Sequence, residues 1–187
     1  MSAFGGGRRY LTGGVLFAVL LAADQVTKYF VTRRLWPGQL MTVVPGYLNF
    51  IRSHNTGGVF SLLAGKPLFF TILSLAAIAL LVYLYVKLEY KPAATLATAT
   101  VLAGAFGNLV DRIRFGFVID FIDLHVQGWH WYVFNIADAA ISTGAIVLVI
   151  ATIFDERRKA PATESRAGEA ADTAVGIAEI EDPKNNC

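Results

Sequence analysis

Hydrophobic positions in this chain fall in long unbroken runs, and polar residues gather at the ends of the runs. Tyr10–Thr32 is apolar through Ala23, then carries Asp24 and Lys28. Pro67–Val86 holds no charge and is bracketed by Lys66 and Lys87. Pro92–Val110 is also uncharged, richer in Ala and Thr, and ends at Asp111. Trp131–Phe154 has a single charge, Asp138, and stops at Asp155-Glu156-Arg157-Arg158-Lys159. A helix needs about 20 mostly apolar residues to cross a hydrocarbon core. The pattern therefore predicts an α-helical integral membrane protein with four transmembrane helices. Leu35–Ile51 is uncharged too, but Pro37-Gly38 and Pro45-Gly46 break it, and its alternation suggests short strands joined by turns. Residues 33–66 are expected to form a small extracytoplasmic β-rich lobe whose Trp36, Tyr47, Phe50 and Phe60 suit the headgroup level.

Composition sharpens this picture. The 187 residues are 55% hydrophobic and 16% charged. Of the 30 charged residues, 13 follow Phe154, so the body is more apolar than a soluble domain, where about 25% of residues are charged. A net charge of +2 gives no sign of a nucleic-acid surface. The one cysteine, Cys187, rules out a disulfide within the chain and a zinc site of several thiolates. Arg8-Arg9 resembles the start of a signal peptide, but no small-x-small cleavage site follows, so the first run is read as a retained helix.

Four spans put both termini on one side, with Arg8, Arg9, Lys87, Lys91, Arg157, Arg158 and Lys159. The other side carries Lys28, Arg33, Arg34, Arg52, Lys66, Arg112 and Arg114. The two counts balance, and the compact Arg157-Arg158-Lys159 stop tips the reading toward cytoplasmic termini. Residues 1–159 are then the membrane domain, and 160–187, poor in large apolar residues, a disordered cytoplasmic tail. In this topology Asp24, Asp111, Asp120 and Asp138 all fall near the outer face.

Carboxylates near a bilayer are costly and mark working sites. Asp138 is expected about two turns into the last helix, with Asn135 three residues earlier on the same face. Its alternative role is a structural bond to a neighbouring helix. Asp120 lies in Phe117-Val118-Ile119-Asp120-Phe121-Ile122-Asp123, an apolar β-branched stretch in which burial disfavours ionisation. Two carboxylates brought together there hold one proton between them. One takes a proton from water while the other polarises a carbonyl. Asp120 could equally cap a turn, and Asp123 competes with it for the catalytic role. Asn108, Asp111 and Arg112 share one helix face and form either a polar rim to the site or a self-satisfied Asp–Arg pair. Asp24 and Lys28 are spaced as a helix ion pair, read as a structural pair near the surface. The three histidines, His54, His125 and His130, lack metalloprotease spacing and are read, with Trp129, Trp131 and Tyr132, as interfacial side chains. No Gly-x-Ser-x-Gly elbow is present.

Five ordered blocks carry a family resemblance. They are Asp24-Gln25-Val26-Thr27-Lys28, Asn55-Thr56-Gly57-Gly58-Val59-Phe60-Ser61, Gly107-Asn108-Leu109-Val110-Asp111-Arg112, Val118-Ile119-Asp120-Phe121 and Phe134-Asn135-Ile136-Ala137-Asp138. Together on a four-span frame they resemble the lipoprotein signal peptidases, or type II signal peptidases. Gly58-Val59 departs from the small pair usual there. The resemblance implies an aspartyl endopeptidase of the bacterial inner membrane that removes signal peptides from diacylglyceryl-modified prolipoproteins, cutting before the lipidated cysteine. It places the catalytic aspartates on Asp120 and Asp138, and supporting residues on Asp24, Lys28, Asn55, Asn108, Asp111, Arg112 and Asn135. It implies no metal or other cofactor, inhibition by globomycin, and contact with membrane lipid. A monomer is expected. The lobe at 33–66 and a loop at 112–130 are expected to clamp substrate. A small proton-coupled transporter or carrier subunit is the alternative from a different class.

Overall fold

The computed structural model describes residues 3–57, 65–87 and 92–154. Expectations about Gly58–Ser61, Arg157–Lys159 and the 160–187 tail lie outside these residues. The helices are α1 (Ala3–Arg34), α2 (Pro67–Lys87), α3 (Pro92–Phe115) and α4 (Ile136–Phe154). All four contain windows long and apolar enough to cross a membrane. Proline opens α2 and α3, where its missing N–H and fixed φ cost nothing. Gly116 ends α3 at φ 77°, and its N–H bonds Arg112 O at 3.0 Å. The carbonyls of Thr32, in the last turn of α1, and of Leu35, just after it, receive Arg52 Nη1, at 3.2 and 3.3 Å, from the strand lobe.

The predicted strands are present. β1 (Leu40–Val44) and β2 (Leu48–Asn55) are antiparallel. Pro45-Gly46 between them makes a type II turn, with Gly46 at φ 82° and Tyr47 N–H donating to Val44 O at 3.1 Å. The expected loop at 112–130 is corrected. Residues 112–115 finish α3, and β3 (Val118–Val126) and β4 (Trp129–His130) extend the sheet in the order β1-β2-β3-β4. The β-branched and aromatic content of 117–126 favours a strand. Gln127 (φ 50°) and Gly128 (φ 83°) supply the positive-φ pair that a two-residue hairpin turn requires.

The fourth span also begins later than Trp131. Trp131 N–H bonds Leu124 O at 2.8 Å, and Phe121 and Ile122 both donate to Phe134 O, at 3.0 and 2.8 Å. Two donors to one carbonyl is the pattern of a β-bulge. Residues 131–134 are therefore held against β3, and the helix starts only after Asn135.

Large apolar side chains of α1, α2 and α4, among them Val15, Val19, Leu68, Ile72 and Ile146, point outward, as in a bilayer-exposed bundle. The hydropathy window of α3 is 67% buried against 6% for α2, so α3 is the central helix. Its Ala, Gly and Thr content explains this, since small residues let helix backbones approach. A Cβ on Gly104 would strike the backbone oxygen of Ala137. One on Gly107 would lie 2.6 Å from Asp24 Oδ2. The α3–α4 approach that aligns the site thus depends on absent side chains. Gly104→Leu should cost about 1–3 kcal/mol or more through overpacking. Thermal denaturation in detergent should show a large loss of Tm, while Gly14→Ala, which meets nothing within 4 Å, should leave Tm unchanged.

Candidate active site

A buried ionic triad forms first. Lys28 Nζ donates to Asp24 Oδ2 at 2.9 Å, one turn back on α1, and to Asp111 Oδ2 of α3 at 2.9 Å. Its third acceptor is Asn108 Oδ1 at 3.1 Å. An ammonium has three donors, so the group is satisfied. Asp24, Lys28 and Asp111 are 0, 2 and 1% exposed. The spacing predicted the Asp24–Lys28 contact, but not its depth. The near-surface, self-neutralising pair is corrected to a buried triad spanning two helices. Asp111 pairs with Lys28, so the Asp111–Arg112 pair does not form. Arg112 turns away, with Nη1 3.3 Å from Ser74 Oγ and Nη2 3.4 Å from Gly57 O.

The same carboxylates grip the two segments that carry Asp120 and Asp138. Asp24 Oδ1 accepts Ala137 N–H at 2.9 Å, one residue before Asp138. Asp111 Oδ2 accepts Ile119 N–H at 3.1 Å, one residue before Asp120.

Three amides then set the carboxylates themselves. Asn108 Oδ1 faces Lys28, so its Nδ2 is left to donate to Asp138 Oδ1 at 2.7 Å. Asn135 Nδ2 donates to Asp120 Oδ1 at 2.6 Å, and its Oδ1 accepts Asp138 N–H at 2.9 Å. Asp138 Oδ2 accepts Asn135 N–H at 3.3 Å. Asn135 and Asp138 thus form a reciprocal cap on α4. This corrects the expectation that Asp138 lies two turns into the helix, because its position is the first turn. Asn55 Oδ1 accepts Gly57 N–H at 2.9 Å, an Asx turn that leaves Nδ2 to reach Asp120 Oδ2 at 2.9 Å. All nine residues singled out in the sequence lie in this region.

Asp120 and Asp123 separate here. Burial, then the charge of Asp138, pushes the Asp120 carboxyl up to about 7, against the opposing pull of the Asn55 and Asn135 hydrogen bonds and Lys28. Asp123 is also screened from solvent. There the hydrogen bonds from His130 and Asn49 outweigh burial and hold it below the usual carboxylate range. Asp123 accepts Asn49 Nδ2 at 3.0 Å and lies 2.8 Å from His130 Nδ1, in a separate cluster. The histidines are correspondingly placed: His54 stacks on Phe117 with centroids 4.0 Å apart, and His125 stacks on His130 at 5.0 Å.

A cavity of about 320 Å³ opens at the site. Asn55, Asn108, Arg112, Tyr132 and Asp138 form its polar wall, and Leu73, Ala77, Leu81, Ala105 and Ile141 its apolar wall. Asp120 lies one hydrogen bond behind this wall, through Asn55.

The family model for signal peptidase (SPase) II matches residues 16–154. The chain belongs to the signal peptidase II family. Relatives described as lipoprotein signal peptidases include one from Syntrophus aciditrophicus, 42% identical over 75% of this chain and 91% of the relative. Another, from Staphylococcus aureus, is 36% identical over 81% and 95%. A solved structure described as a bacterial membrane enzyme superposes with a TM-score of 0.73 at 33% identity, covering 79% of this chain and 91% of that one. A second gives 0.69 at 34% identity, over 75% and 92%. Family membership decides for a membrane-embedded peptidase over the carrier alternative.

For a signal peptidase II site, the sequence reading omitted three residues. Gln25 Nε2 contacts Asp24 Oδ2, Gly107 O and Asp111 Oδ1, each at 3.2 Å, and belongs to the first motif block. Ser74, which with Thr71 is one of two aliphatic hydroxyls in the uncharged run of α2, could have been noticed on that ground. Tyr132 was read only as an interfacial side chain, and the fold places it on the cavity wall. Burial, then the charge of Asp138, raises its phenol pKa and keeps it a proton donor.

Removing the buried cation of this signal peptidase II fold should be severe. Lys28→Met leaves two buried carboxylates without their partner, a loss of about 3–5 kcal/mol. Chromatography in detergent should show little folded protein. Asp120 titrates near 7 in the fold, above the roughly 4 of an unfolded carboxyl. Its protonation stabilises the fold fully below about pH 4, and that contribution is lost as pH rises through about 7. Asp120→Asn should therefore lose less Tm than the wild type between about pH 5 and pH 8.5.

Proposed function

We propose that this peptidase is an aspartyl endopeptidase that removes the signal peptide from diacylglyceryl-modified prolipoproteins, cutting before the lipidated cysteine. The observation that carries the reading is the Asn135 side chain, which donates to Asp120 and accepts from the backbone of Asp138. One amide thereby holds two acids from separate segments beside a cavity with an apolar wall. The substrate carbonyl takes over the Asn55 hydrogen bond that covers Asp120. Asp120, which keeps its proton up to about pH 7, donates toward that oxygen. Asp138, oriented by Asn108, takes a proton from the attacking water. The oxygen of that water bonds to the carbonyl carbon. In the resulting diol one hydroxyl returns its proton to Asp120 as the C=O re-forms, Asp138 passes its proton to the departing amide nitrogen, and the C–N bond breaks.

Asp24, Lys28, Asn55, Asn108, Asp111, Arg112 and Asn135 support the dyad in this reading, and no metal takes part. The acyl chains and signal helix lie against the apolar wall, within the bilayer. The enzyme resides in the bacterial inner membrane as a monomer with both termini cytoplasmic and the site near the outer leaflet, and globomycin blocks the cavity. The sheet and the 33–66 lobe clamp the substrate.

Asp120→Asn and Asp138→Asn should each lower cleavage of a purified diacylglyceryl-modified prolipoprotein by at least about a thousandfold while inserting and folding normally. The wild type should cleave equally well with EDTA. Activity in either variant, or loss in EDTA restored by zinc, would refute the dyad.

A further inference from the structure

Asp123, His125 and His130 play no part in the dyad, yet they converge. Their ligand atoms all lie within 4.8 Å of one another. Asp123 is 4% exposed, an unusual depth for a carboxylate outside the catalytic network. His125 and His130 are cross-strand partners in the β3–β4 hairpin, and their rings stack at an interplanar angle of 14°. From β2, Asn49 Nδ2 lies 3.0 Å from Asp123 Oδ2 and 3.3 Å from His125 Nδ1. A carboxylate oxygen and an imidazole nitrogen thus converge on one positively polarised group. His130 Nδ1 faces the other carboxylate oxygen at 2.8 Å.

We propose that Asp123, His125 and His130 form a binding site for a divalent transition-metal ion of the zinc class, separate from the catalytic dyad. Two imidazoles and a carboxylate are the borderline donors that zinc and its neighbours take. Zinc bonds to nitrogen and oxygen of about 2.0–2.2 Å require ligand atoms roughly 3.3 Å apart. The 4.8 Å limit therefore closes by small side-chain rotations. His130 is half-exposed, so it can turn without disturbing the core. Turning over the Asn49 amide presents its Oδ1 as a fourth donor, and water can take that place instead. The bound ion would join β2, β3 and β4. Asp120, three residues before Asp123, is held without the ion through the Asp111–Ile119 and Asn135–Asp120 hydrogen bonds. The ion contributes nothing to the bond-breaking step, so the chemistry remains independent of chelators.

The test uses the full chain, purified without a polyhistidine tag and stripped with EDTA. Zinc chloride is titrated calorimetrically, with Tm measured in parallel. The wild type should bind one ion and gain Tm. His130→Ala and His125→Gln should each weaken binding by at least about tenfold and abolish the Tm gain. Both should retain the metal-free Tm to within a few degrees. Asp123→Asn serves as a third variant with the same expected loss of binding. Equal zinc binding by the wild type and both histidine variants would overturn the site by placing the ion elsewhere. No binding by a folded wild type would overturn it as well, leaving a hydrogen-bonded hairpin. Cleavage in EDTA, measured on the same samples, reports separately on the proposed peptidase reading.

Discussion

The site depends on one ammonium held away from water. Lys28 Nζ has three hydrogens and three acceptors, on Asp24, Asp111 and Asn108. Each acceptor passes the constraint onward. Asp24 fixes the start of α4, Asp111 fixes the start of β3, and Asn108 is left with only its N–H groups to offer Asp138. A buried ion pair is weak as a source of stability, because desolvation offsets its Coulombic gain. Its value here is positional. With Lys28 removed, the two carboxylates would repel, and both segments bearing Asp120 and Asp138 would lose their anchor.

Helix packing makes that arrangement possible. Gly107 leaves room for the Asp24 carboxylate against α3, and Gly104 lets α3 approach the backbone of Ala137. Small residues in the central helix and large ones outward are what a bundle in lipid requires, since apolar burial does not drive helices together there. The strand lobe adds a second layer of control. Its β3 carries Asp120 into an apolar environment, and the bulge opposite Phe134 shapes the entry to α4. Asp120 and Asp123, only three residues apart, thereby acquire opposite protonation behaviour.

The four spans were legible because a mostly apolar run of about 20 residues matches the thickness of a hydrocarbon core. The first hairpin was legible from Pro45-Gly46, whose turn type dictates those residues. Strands β3 and β4 were not. Their pairing with β2 is a long-range contact, and a β-branched stretch beside a membrane helix reads equally as loop. The first turn of α4 was displaced for a related reason: hydrophobicity continues through Trp131–Phe134, but the backbone there bonds to β3, and only Asn135 can cap the helix. Motif order drew every supporting residue to one region. It could not show that Asp24 and Lys28 are buried with Asp111, because i,i+4 spacing says nothing about a third partner. The chemistry of the stretch left Asp120 and Asp123 level and the family resemblance favoured Asp120; the fold adds that the two have different partners.

In the proposed mechanism the two aspartates work as a pair holding one proton, with Asp120 its carrier. The most direct measurement is the pH dependence of kcat/KM for cleavage of a diacylglyceryl-modified prolipoprotein, which reports ionisations of the free enzyme. A fall with unit slope is expected above about pH 7, as Asp120 loses its proton. A rate that stays level from about pH 6 to pH 9 would contradict the shared proton, because no acid titrating near neutrality would then be required.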